Sequence, residues 1–103
     1  MQIAAFSPVG VKTDVAATTA QTRTAMQVAT SPAMPYTLRV VNETDDTALV
    51  AMGGSTVDAT TDTTALAIPP GERIVTWKSD ATHCSVALRS GSGTVQIQLG
   101  AGV

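Results

Sequence analysis

The chain has 103 residues, a formal net charge of -2 and only 14% charged residues. That suits one domain with no electrostatic pull toward nucleic acid. One Phe, one Tyr and one Trp leave the core to Val, Ile, Leu, Ala and Met, which fill a thin layer between two sheets more readily than a deep cavity. The single cysteine, Cys84, excludes an intrachain disulfide and a metal quartet and reads as a buried thiol.

Residues 2–6 (QIAAF) predict a first strand, ended by Ser7, Pro8 and Gly10. Residues 11–17 alternate, with Val11, Thr13 and Val15 on one side and Lys12 and Asp14 on the other. This is the period of a strand with one wet face. Alanines make residues 16–30 a competing helix, but the threonines and the missing caps favour extended chain with a break near Ala20 and Gln21. Residues 23–28 then fit a strand in either of two registers, with Ala25 and Val28 or Thr24 and Met26 inward. Pro32 and Pro35 bracket a loop, because the residue before a proline is pushed out of helical space.

The clearest alternation runs through residues 36–103. Leu38 and Val40 face one way, Thr37, Arg39 and Val41 the other. Residues 42–46 (NETDD) predict a polar hairpin loop, with residues 47–52 returning antiparallel and Gly53 and Gly54 ending them. Residues 56–64 are either a short edge strand or a loop. Leu66, Ala67 and Ile68 lead into Pro70 and Gly71, a pair suited to a type II turn. In residues 73–79, Ile74, Thr76 and Lys78 oppose Val75 and Trp77. Residues 84–89 and 94–99 close the ladder through the turn at 90–93. Six to nine short strands in this rhythm predict an all-β fold, a small antiparallel β-sandwich or jelly-roll-like barrel.

No polar cluster carries a chemical signature. His83 and Cys84 are adjacent, yet neighbours on a strand point to opposite faces and cannot act as base and nucleophile. Glu43, Asp45, Asp46, Asp58 and Asp62 could offer oxygen ligands, but they lack the spacing of a calcium loop and read as solvated turns. Trp77 reads as core rather than as a sugar platform. Gly53, Gly54, Gly91 and Gly93 precede no helix and make no phosphate cradle. The expectation is therefore no catalytic, cofactor or metal site and no enzyme.

The opening MQIAAFSPVGVK lacks a basic n-region and a long apolar core, and no apolar stretch approaches bilayer length. A soluble protein, made in the cytoplasm and without a membrane partner, is expected. Residues 1–35 are either part of the sandwich or an arm, and Gly100, Ala101, Gly102 and Val103 read as a flexible tail, free or docked on a neighbouring subunit. A layer this thin is marginal alone, so association with further copies is expected.

Taken in order, VAATTAQTRTAM, TLRVVN, ALVAMGGSTVDAT, IPPGERIVTW, ATHCSVALRSGSGTVQIQL and GAGV make the chain resemble small virion proteins of tailed bacteriophages. The shared features are a strand ending in Asn, an apolar strand with a Gly-Gly break, a Pro-Gly turn and a last strand with a glycine-rich end. The resemblance covers nearly the whole chain and rests on structural turns. It implies a β-sandwich of the phage particle made in the bacterial host, a decoration or cement protein that binds the major capsid protein on the capsid surface. A homo-oligomer, with a trimer favoured, fits that role. The alternative is a head–tail joining, tail or fibre-associated component. No catalytic residue carries over.

Overall fold

The computed structural model describes residues 7–8, 12–26, 36–78 and 80–101. They form nine strands: β1 (Ser7–Pro8), β2 (Thr13–Ala17), β3 (Thr22–Ala25), β4 (Thr37–Asn42), β5 (Ala48–Gly53), β6 (Leu66–Ile68), β7 (Gly71–Thr76), β8 (His83–Leu88) and β9 (Gly93–Ala101). No helix occurs among the described residues. The strand expected over residues 2–6, with Val11, Val28, Gly102 and Val103, lies outside them.

The alternation sets the inward sides. Val15 and Ala17 of β2, Leu38 and Val40 of β4, and Val95, Ile97 and Leu99 of β9 are buried, while Asp14 and Ala16 are exposed. In β3 the register is the one that turns Thr24 and Met26 inward, and Ala25 is exposed. Opposite them stand Ala48 and Val50 of β5, Ile68 of β6, and Cys84, Val86 and Leu88 of β8. Together these aliphatic side chains make the core between two sheets, closed at one end by Trp77 and Ala81.

The strands form two antiparallel sheets. The first runs β1-β9-β4-β7, with β2 also pairing β9; β1 and β2 occupy successive stretches of one edge of β9. The second runs β3-β8-β5-β6. The pairs β2·β9, β3·β8, β4·β7 and β5·β6 are nested like one long folded hairpin whose tip is residues 54–65. This is the strand order of a jelly roll, two Greek keys closed into a sandwich.

Three expectations need correction. Residues 42–46 are not a hairpin loop, because β4 pairs β7 and β9 while β5 pairs β6 and β8. The chain reverses there but crosses to the other sheet. The turn at 90–93 likewise carries the chain from β8 in the second sheet to β9 in the first. Alternation is satisfied equally by strands lying side by side and by strands facing each other across a core, so a turn alone does not tell which. Finally, Gly100 and Ala101 continue β9, opposite Pro8 and Ser7, instead of starting a tail. At the Pro70-Gly71 step, Gly71 has φ +115, which the absent Cβ permits.

Candidate functional site

The residues that sequence reading singled out are dispersed and mostly occupied. Cys84 is fully buried, and burial pushes its thiol up to about 12, so it stays protonated and unreactive. His83 is half-buried, its Nδ1 in a 2.8 Å hydrogen bond with the Thr82 hydroxyl. Trp77 is 3% exposed and donates Nε1–H to the Ala81 carbonyl at 3.3 Å, which makes it core as expected. Among the described residues, no cluster of three His, Cys, Asp or Glu side chains is placed to hold a metal ion.

Three of the polar turn residues share a pattern that the sequence displays but that composition hides. Asn42-x-Thr44, Asp58-x-Thr60 and Asp62-x-Thr64 each place a side-chain oxygen where the threonine two positions on donates to it. Backbone N–H and hydroxyl both donate, at 3.0 and 2.7 Å for Asn42, 2.9 and 2.6 Å for Asp58, and 2.8 and 2.6 Å for Asp62. These are Asx turns. The donors from Thr60 and Thr64 hold the Asp58 and Asp62 carboxyls below the ordinary range. Asn42 does more. Buried where β4 leaves the first sheet, it donates Nδ2–H to the carbonyls of Asp46 at 2.7 Å and Ile68 at 3.0 Å, and so ties two sheet crossings together.

Those crossings interlock at one end of the sandwich. Ser90 donates to Asp46 Oδ1 at 2.9 Å. A Cβ on Gly93 would lie 2.6 Å from Thr44 Cγ2, so only glycine fits the approach. Gly91 has φ +76 and sits against Asp46. Asp46 is therefore a fitting of this turn cluster.

The two outer faces of the sandwich are built differently. On the second sheet, residues 54–65 fold back as a strap. Val57 and Ala59 pack on Ala51 and Ala87, with Leu49 and Ala65 at the margin. Arg23 donates Nε–H to the Val57 carbonyl at 2.7 Å. The fully buried Ser85 hydroxyl accepts from Ala59 N–H at 2.9 Å and donates to Gln21 Oε1 at 2.7 Å. The first sheet carries no such layer among the described residues over two of its cross-strand rows. One row is Asp14, Gln96, Val41 and Glu72; the next is Gln98, Arg39 and Ile74. Gln96 donates to Asp14 at 3.0 Å, and Arg39 pairs with Glu72 at 2.6 Å. With Val41, Ile74, Arg39 and the glutamines half-buried, these rows make a mixed polar and aliphatic surface.

Every described buried side-chain nitrogen and oxygen has a partner, so none is left aimed into a cavity. What the arrangement offers chemically is surface: a sandwich with one self-covered face and one whose outward rows no described segment covers. The chain matches no protein-family model, no curated protein and no solved structure.

Proposed function

We propose that the chain is a non-enzymatic structural protein of a tailed-phage particle, bound to the outside of the assembled capsid as a decoration protein that stabilises the shell. One observation carries the reading: a jelly roll whose turn carboxylates at Asp58 and Asp62 are engaged in its own turns, with a mixed outward face on the first sheet that no described segment covers. Jelly rolls serve viral capsids as well as lectins and cupins, so the fold alone does not choose among them. The order of turns shared with small virion proteins favours the particle. Binding is through copies of the major capsid protein, by homo-oligomers with a trimer favoured. Many modest contacts repeated over a lattice hold by avidity.

The test is addition of purified protein to expanded capsids of the cognate phage. The expected result is density at repeated positions on the shell and a higher capsid melting temperature. Saturating protein that leaves both unchanged would sink the proposal. Density confined to the head–tail axis or tail would replace it with the joining or tail role.

A further inference from the structure

The rim between β6 and β7 combines two features that the particle reading does not use. The first is an open strand edge. Trp77 N–H donates to the Tyr36 carbonyl at 2.9 Å, continuing the register in which Thr37 faces Thr76. In an antiparallel ladder, residues of such a hydrogen-bonded pair turn both backbone groups toward the partner, and the next residues turn both away. Gly71, Arg73 and Val75 therefore face β4, while Glu72, Ile74 and Thr76 present N–H and C=O to the free edge. The Glu72 carbonyl already accepts from Arg73 Nη1 at 3.0 Å; the groups of Ile74 and Thr76 have no described partner. Among the outer strands, β7 has six residues, against five in β2, four in β3 and three in β6. It is the best template for an added strand.

The second feature is a hollow of about 170 Å³ beside the end of β7, lined by Val50, Met52, Thr64, Leu66, Thr76 and Lys78. Its floor is apolar, and Leu66 is the one large hydrophobic side chain exposed among the described residues. The hollow is well below the roughly 300–1,000 Å³ of a small-molecule pocket. It suits a single side chain.

Charge narrows the occupant. The only ion pair among the described residues is Arg39–Glu72, which leaves the exposed Arg73 and Lys78 unpaired along this edge. Asp62 is near enough for Lys78 to act on it, but its carboxylate is held by Thr64. A second copy of this edge would offer these cations only Glu72, already paired with Arg39, whereas a segment carrying free carboxylates would complement them.

We propose that the edge of β7 is a strand-docking site for an extended segment of a partner protein, one bulky aliphatic side chain of which fills the hollow while flanking carboxylates meet Arg73 and Lys78. Main-chain hydrogen bonds to Ile74 and Thr76 supply affinity, and the hollow supplies selectivity. The site is independent of the particle reading, since it would take such a segment in any setting.

The probe is an end-blocked peptide of alternating Val and Thr with a central leucine and an aspartate at each end, titrated into the full chain and followed by NMR. The expected result is shifted Ile74 and Thr76 amides with exchange slowed by about tenfold or more. Lysine-ended and glycine-centred versions are expected to bind at least about tenfold more weakly. Ile74→Pro removes an outward N–H without breaking the ladder to β4 and should abolish binding. Leu66→Asp, at an exposed position, should do the same and serves if the proline variant fails to fold. Unchanged Ile74 and Thr76 amides, or equal binding of the lysine-ended peptide, would overturn the proposal. So would protection of those amides by self-association of the protein alone, which would make the occupant a second copy. Capsid melting is a separate measurement, so the two proposals fail separately.

Discussion

The two outer faces of this sandwich show how one chain finishes a β-sheet in two ways. On the second sheet the outward residues are apolar, Ala51 and Ala87 around a buried serine with Leu49 at the margin, and the chain covers them with its own strap. On the first sheet the corresponding positions are mainly polar, with Asp14, Gln96, Arg39 and Glu72, which water can solvate and which need no cover. A face that is chemically able to stay wet is also free to meet something else. The covered face is committed to stability.

The largest test of that contrast is one substitution made on both faces. Ala87→Asp puts a carboxylate between the second sheet and the strap, where an uncompensated buried charge costs about 3–5 kcal/mol. Ala16→Asp, on the exposed outer side of β2, should change stability by less than about 0.5 kcal/mol. Urea unfolding of the two variants measures the difference, and equal losses would mean that the faces do not differ as described.

Next comes Ser85→Ala, which strips the Ala59 amide and the Gln21 carbonyl of their buried partner. A loss of about 1–3 kcal/mol is expected, with faster hydrogen exchange at Ala59. Gln96→Ala on the bare face removes only a bond between solvated groups and should stay within about 0.5 kcal/mol. A smaller effect is expected from acid. Asp58 and Asp62 have carboxyls below their ordinary value of 3.8. The stabilisation they give the strap is therefore present above 3.8 and lost as pH falls through their lower folded-state values. NMR of the Thr60 and Thr64 amides should report loosening of the strap in that range.

Much of this was legible in the sequence, and the limits have physical causes. Period-2 alternation located β2, β4, β7 and β9 to within a few residues because each has one drier and one wetter side, while β5 and β8, buried on both faces, were bounded by their flanking turns. Partnership was not legible: Asn42 and Thr44 reverse the chain equally well into a hairpin or across to another sheet, and the decision lies in β7 and β9, which are far off in sequence. The strap did leave a trace. Residues 48–52 (ALVAM) are apolar without alternation, as strands buried on both faces are, whereas the Asx-x-Thr spacing that folds on itself at residues 42–44, 58–60 and 62–64 also occurs at 45–47 and 80–82 without doing so. The bare face and the hollow left none, because openness depends on which strands end up at an edge.

The nested pairing also sets an order in time. β5 can meet β6 as soon as the strap is made, but the hydrogen bond from Gln96 to Asp14 spans 82 positions. At about 5–20 residues per second, β2 leaves the ribosome roughly four to sixteen seconds before its partner β9 exists. β4 meets β7 first and waits as an open edge for the same strand. β9, made after all the strands it pairs with, is thus the one that joins β1, β2 and β4 into a sheet, and chains arrested before it should be the form of this protein most prone to pair with one another.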